Sequence, residues 1–287
     1  MELDKGMVIV DMLYSSMESE DMGSIGTGKA TAHNGVGIVT KSMYDGIEVG
    51  DRVIIDGNIK YPISRTILIR GDSLIKLDCD ISNIEASIVG SDVSTGIILT
   101  DYVESRVQRS MVLIVGSDGI GIGAAISLDA LGAIDITIAD SDVDKINFME
   151  GICQGPRLLI NKIPIYRKAM DITGSGYDIV IVTDSDVVDI SDMIKCTRDG
   201  GECIVYKSRP GSIIDCTVVA NKRLTVIDRV ASREEIKRIS HLVSRGRLPI
   251  IHAFNGVIIN SQDINSIPKI VLPTVGKLLV KCFSGSM

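Results

Sequence analysis

"MVLIVGSDGIGIGAAISLDALGA", residues 111–133, decides how this chain is read. A short apolar run rich in branched residues reads as a buried strand, the glycine cluster after it as a tight turn, and the apolar segment beyond as a helix. A dinucleotide fingerprint places G-x-G-x-x-G at such a turn: one glycine turns the chain, the second admits the pyrophosphate and the third lets helix and strand pack. Here the frame is Gly116, Ser117, Asp118, Gly119, Ile120 and Gly121, so the first and third glycines are present and Asp118 stands in place of the second. The next strand, "IDITIAD", ends at Asp140, where a carboxylate would hydrogen-bond ribose hydroxyls and disfavour a 2′-phosphate. This predicts an NAD site, with NADP as the alternative, whose phosphate position carries a negative charge. Two unit charges about 4 Å apart cost on the order of 4 kcal/mol at an effective dielectric of 20, less where solvent enters. The bland alternative is that Gly119, Gly121 and Gly123 only permit close helix packing.

Around this stretch, strands alternate with helices. "MVLIV", "IDITIAD", "RLLIN", "YDIVIVTD", "GECIVYK" and "RLTVID" read as strands; "GIGAAISLDALG", "DVDKINFMEGI", "YRKAMDITG", "DVVDISDMIKCTRDG" and "SREEIKRISHLVSRG" read as helices. Such alternation predicts an α/β unit with a doubly wound parallel sheet. Ser232 with Glu235 three residues later is a capping box, and Gly246 marks where that helix should stop. Thr183, Asp184 and Asp186 fall at the end of one predicted strand, and Lys207 and Arg209 after another. All belong to the same carboxyl edge, where the two cations would offset part of the acidity.

Before residue 100 the pattern differs. "MVIVDMLY", "GVGIVTKSMYDGIEVGDRVII" and "RTILIRGDSLIKL" are short apolar runs broken by glycine, with turns expected at Asp45 and Gly46 and near Gly50. They predict a strand-rich, partly barrel-like domain. A single linking helix is expected over residues 84–107, and the tail "HAFNGVIINSQDINSIPKIVLPTVGKLLVKCF" returns to strands. The chain, 287 residues long, is therefore divided into a strand-rich domain at 1–100, a cofactor domain at 101–254, and a tail at 255–287 that packs back on the first domain.

Composition narrows the partners. The net charge of −7 comes without a basic run, which argues against nucleic acid. "MELDKGMVIVDML" mixes charges into its apolar residues, and no apolar stretch reaches the roughly 18 to 20 residues of a membrane span. A cytoplasmic protein with no membrane partner is expected. The six cysteines form no C-x-x-C pair and no run spaced for structural zinc, so free thiols are expected. Tryptophan is absent and aromatics are 3%, which leaves the core to Ile, Val, Leu and Met.

The order of parts resembles the medium-chain dehydrogenase/reductase superfamily, which includes the zinc alcohol dehydrogenases. "GVGIVTKSMYDGIEVGDRVII", with Gly50, Asp51, Arg52 and Val53 its most specific piece, is similar to the segment before the family's domain crossover. "EASIVGSDVSTG", "ALGA", "RDGGECIVY" and "GKLLV" resemble later segments in the family's order. The resemblance implies a GroES-like catalytic domain, a Rossmann domain, a nicotinamide cofactor, a small-molecule substrate, and a homodimer or homotetramer. It also implies where a catalytic zinc would be held: Glu18, Ser19, Glu20 and Asp21, then Ala32, His33 and Asn34, then Ser91. Of these His33 is the one good zinc ligand, and three protein ligands are needed, so catalytic zinc is not expected and no metal ligand is assigned. The lobe that follows "GDRVII" in many members, and carries a second zinc, is missing.

The candidate catalytic residues are therefore His33, Glu18, Glu20 and Thr95. His33 is either a satisfied polar residue at a strand end or a proton donor to substrate, with Tyr14 or a backbone amide as other electrophilic partners. Glu18 and Glu20 are either solvated loop charges or acid/base groups in the cleft. The resemblance places Thr95 against the nicotinamide ring; otherwise it is an ordinary helix residue. The cofactor set is Gly116, Asp118, Gly119, Ile120, Gly121, Asp140, Thr183 and Lys207. The function expected is NAD(P)-dependent hydride transfer to or from a small carbonyl, alcohol or enone without zinc. The alternative is a non-enzymatic member of the fold that binds a ligand or a protein. A methyltransferase would fit Asp140 but not the first domain or the tail.

Overall fold

The computed structural model describes residues 3–17, 30–57, 59–161, 164–184, 188–207, 214, 216–264 and 276–282. They belong to two units, residues 1–94 with 232–287 and residues 95–231. The chain opens with β1 (Met7–Met17), β2 (Thr31–Ala32), β3 (Asn34–Ser42), β4 (Arg52–Ile55), β5 (Tyr61–Pro62), β6 (Thr66–Arg70) and β7 (Leu74–Lys76). Then come α1 (Asn83–Val89), α2 (Asp92–Leu99) and α3 (Glu104–Val107) in place of one linking helix. The break between α1 and α2 has a local cause: the Ser91 hydroxyl accepts the Val93 N–H, which starts a new helix instead of continuing the old one.

The second unit runs β8 (Met111–Val115), α4 (Gly119–Ala130), β9 (Asp135–Asp140), α5 (Val143–Phe148), β10 (Arg157–Leu159), α6 (Ile165–Thr173), β11 (Tyr177–Val182), α7 (Ile190–Cys196), β12 (Thr197–Tyr206), α8 (Cys216–Val219) and β13 (Arg223–Ile227). All six strands anticipated from the sequence are present. They form one parallel sheet in the order β10-β9-β8-β11-β12-β13. Counting from β8, this is the order 3-2-1-4-5-6 of a doubly wound sheet, whose winding reverses between β8 and β11. Both faces are covered, so the central strands read as continuous apolar runs: Val112 to Val115 and Ile179 to Val182 are buried throughout. The helix expected up to Gly200 stops at Cys196, and the strand begins at once with β-branched Thr197.

The chain then returns to the first unit with α9 (Arg233–Ser244), β14 (Phe254–Asn260) and β15 (Lys277–Lys281). A seven-stranded sheet results, in the order β14-β15-β1-β3-β4-β7 with β6 also on β1. β1 is long enough to hold two partners along one side, β6 opposite Met7 to Asp11 and β15 opposite Tyr14 to Met17, with β3 along the other. Val8, Val10 and Met12 alternate into a core shared with Val53, Ile55, Leu74, Leu278 and Val280. The expected α/β class is seen, with a doubly wound parallel sheet in one unit and a strand-rich sheet in the other. The boundaries differ from those read in the sequence, since residues 232–254 go with the strand-rich unit. α9 packs against α1, and the Arg233 guanidinium donates to the backbone carbonyls of Asp72 and Leu74. Those contacts link residues far apart in the chain, and nothing local announces them. Among the described residues no helix is long and apolar enough to cross a membrane.

The capping box at Ser232 and Glu235 forms as expected, and a second one forms at Ser82 and Glu85 ahead of α1. Ser232→Ala should remove an acceptor for the Glu235 N–H and weaken α9 by about 1 kcal/mol. Amide hydrogen exchange in the first turn of α9 should accelerate accordingly; unchanged exchange there would show that packing alone holds the helix.

Candidate functional site

The turn after β8 is built as the glycine frame requires. Gly116 has φ of 102°, a region open to glycine, and a Cβ there would lie 2.4 Å from Thr183 Oγ1. A Cβ on Gly121 would lie 2.0 Å from the Gly116 carbonyl oxygen, so the helix start sits directly on the turn. Thr183 ends β11 at the point where the sheet reverses. Its hydroxyl reaches the carbonyls of Val115 (3.1 Å) and Gly116 (3.2 Å), and its N–H donates to Val115 (2.8 Å). Thr183 thus joins the two strand ends across the reversal point, where ligands of such sheets bind.

The two acidic residues have partners that the sequence did not reveal. Asp118 is the N-cap of α4, its Oδ1 accepting the Gly121 N–H at 3.1 Å. A carboxylate of the protein therefore uses one of the helix N-terminal amides that would otherwise face a phosphate. Asp140 is 6% exposed, and its Oδ2 accepts both the N–H and the hydroxyl of Ser117, each at 2.8 Å. Its Oδ1 accepts the Asp142 N–H at 2.9 Å. A carboxylate has about four acceptor positions, so about one is left for a further donor. Ser117, absent from the candidate set, is the residue that ties Asp140 to the turn. Only its place inside the fingerprint hinted at this.

The other candidates are distributed as follows. Lys207 follows β12 with φ of 48° and lies exposed, its Nζ 5.2 Å from the Tyr206 ring centroid. Asp184 follows Thr183 at the same strand end, half-buried. Ile120 is buried in α4, whose residues 120–128 are all buried. Thr95 is 2% exposed, and its hydroxyl accepts the Ala231 N–H at 3.1 Å, bringing together the two ends of the second unit's chain. His33 belongs to the strand-rich unit, half-buried between β2 and β3. Glu18, Glu20, Asp21, Asp186 and Arg209 lie outside the described residues.

A catalytic zinc would draw on Glu18, His33 and Ser91. Ser91 is 4% exposed with its hydroxyl turned to the Val93 N–H. Among the described residues no group of three His, Cys, Asp or Glu donors contains His33. Cys79, Cys153, Cys196, Cys203 and Cys282 are free thiols, and burial pushes Cys196 up to about 12, which makes it a poor nucleophile.

No protein-family model matches the chain, and no curated protein matches it in sequence. Solved structures do match in shape. The alcohol dehydrogenase TADH from Thermus sp. ATN1 superposes with a TM-score of 0.79 at 16% identity, over 98% of this chain and 94% of that one. The fold is that of the alcohol dehydrogenases. Benzyl alcohol dehydrogenase from Acinetobacter calcoaceticus gives 0.77 at 14% identity over 98% and 93%, and 2R,3R-butanediol dehydrogenase from Bacillus subtilis 0.74 at 16% over 98% and 94%. At these identities the likeness is one of fold.

Gly121→Ala should force the turn off the helix start and destabilise the second unit by about 1–3 kcal/mol, read as a lower urea midpoint. Ser117→Ala should leave the fold intact but free one acceptor position on Asp140, with faster exchange confined to the turn amides.

Proposed function

We propose that the protein is an NAD-dependent oxidoreductase of the dehydrogenase fold, acting on a small carbonyl, alcohol or enone without catalytic zinc. The observation behind this reading is the 3-2-1-4-5-6 parallel sheet with the glycine turn at its reversal point and Asp140 at the end of the neighbouring strand. Structures of like fold include alcohol and butanediol dehydrogenases. A bound nicotinamide would supply the hydride chemistry. The chain's residues bind and orient. The amides of Gly119, Ile120 and Gly121 open α4 and present the helix N-terminus to a pyrophosphate, while Gly116 and Gly121 keep the turn free of side chains. Asp140 offers its remaining acceptor position to a ribose hydroxyl and repels a 2′-phosphate, favouring NADH over NADPH. Lys207, at the carboxyl end of β12, offsets part of the acidity of that edge.

Asp118 sets the affinity. Its carboxylate must release the Gly121 N–H before a phosphate oxygen can take that place, and its charge opposes the phosphate. Asp118→Asn keeps a capping side chain and removes the charge, so it should tighten NADH binding about tenfold, equivalent to roughly 1.4 kcal/mol. The measurement is a titration followed by nicotinamide fluorescence, with NADPH alongside; the absence of tryptophan removes competing indole emission. Saturable binding that is weaker for NADPH supports the reading. No binding by wild type, Asp118→Asn or Asp118→Gly overturns it.

Hydride addition to a carbonyl also needs a proton at oxygen, and we assign that role to His33, because an imidazole can both hold and release a proton. His33→Ala should lower turnover at least a hundredfold on any substrate found, with NADH affinity unchanged. Equal turnover would remove the role from His33. A second reading, a binding protein that keeps the fold and has lost the reaction, is favoured by one observation: the carboxylate of Asp118 already caps the helix that would receive the phosphates. The same titration separates the two.

A further inference from the structure

The strand-rich unit is made from two stretches of chain, 1–94 and 232–287. At one place they bring three different donor side chains together. Asp78 and Cys79 lie on the segment between β7 and α1, and His241 lies in the last turn of α9. The carboxylate oxygen, thiol sulfur and imidazole nitrogen lie within 4.8 Å of one another. His241 Nε2 and Asp78 Oδ1 are 3.1 Å apart. Zinc bound at about 2.0–2.3 Å in a tetrahedron holds its ligand atoms roughly 3.3–3.8 Å apart, so modest side-chain rotation would suffice.

We propose that Asp78, Cys79 and His241 form a zinc site that staples the two chain segments of the strand-rich unit together. The donor types select the metal: a thiolate with an imidazole and one carboxylate suits zinc, whereas calcium and magnesium need more oxygen ligands. The backbone is already held. Arg52 Nη2 donates to the Ile81 carbonyl at 2.6 Å, Ile81 is buried, and Ser82 anchors the next helix through its capping box. On the other side, α9 is fixed by its own box and by Arg233. On coordination Cys79 gives its proton to solvent and binds as the thiolate. His241 and Asp78 are 43% and 60% exposed, so the ion has a path in. The fourth position is open to water. None of the three residues is among Glu18, His33 and Ser91, and the site stands whether or not the protein binds NAD.

The test uses full-length protein without a polyhistidine tag, stripped with chelator and titrated first with cobalt(II), then with zinc. One cobalt per chain should bind with a near-ultraviolet thiolate charge-transfer band, and zinc should displace it and raise the thermal midpoint. Cys79→Ser should abolish the band, and His241→Gln should weaken binding at least tenfold, while His252→Gln, on an exposed histidine elsewhere, should change neither. Circular dichroism of the metal-free variants checks that they fold. A band that survives Cys79→Ser, or a wild-type protein without one, overturns the proposal. If Cys79→Ser does not fold, His241→Gln alone decides it: unchanged cobalt affinity in that variant also overturns the proposal.

Discussion

The reversal of winding at the carboxyl ends of the paired strands β8 and β11 is the constraint around which the second unit is arranged. A parallel sheet that reverses its winding leaves a crevice there, because the connections on either side leave in opposite directions. Thr183 spans it, its hydroxyl on the Val115 and Gly116 carbonyls, and the turn after β8 is pressed against it so closely that neither Gly116 nor Gly121 has room for a Cβ. The buried helix α4, the order of the strands and the position of Asp140 all follow from closing that edge. A displacement of the turn would be felt by each of them.

The same closure creates a tension between stability and binding. A helix start with unpaired amides is a good anion site and an unfavourable helix end. Asp118 resolves this in favour of the helix, as a cap contributing about 1 kcal/mol. Ser117 and Asp142 do the same with Asp140, using most of its acceptor positions to brace the turn. The acceptor and donor groups at this edge are thus largely occupied by the protein's own hydrogen bonds. Charge acts alongside geometry here, because the group that caps the helix is itself anionic.

The strand-rich unit is held together differently. Its sheet depends on β1, which accepts β6 and β15 end to end along one side, so the strand nearest the start of the sequence organises one of the last. A pairing over so long a separation is expensive in loop entropy, and the contacts that offset it are spread over the unit. Apolar burial of Val8, Val10, Leu278 and Val280 is one; the ion pair of the buried Lys277 with Asp92 is another. The cluster of Asp78, Cys79 and His241 lies where the same two segments meet again.

By itself the sequence determined what depends on nearest neighbours. The six strands of the parallel sheet, the turn at Gly116 and the capping box at Ser232 are signalled by apolar runs, glycine and cap chemistry within a few residues. The α/β class follows from their alternation. Tertiary structure decided what depends on distant partners. Asp140 and Ser117 are 23 residues apart, so nothing local says that one occupies the other, and a carboxylate at a strand end looks the same whether it is free or braced. Asp118 read as an intruder in a phosphate site because a fingerprint records which residue is present and not which amide it accepts. That the chain rejoins the strand-rich unit at residue 232 is not legible locally, because α9 has the amphipathic pattern of any surface helix and its neighbours come from α1 and the carbonyls near β7. Cysteine spacing gave no sign of a cluster joining Cys79 to His241. Chain folding brings together donors that no sequence window contains.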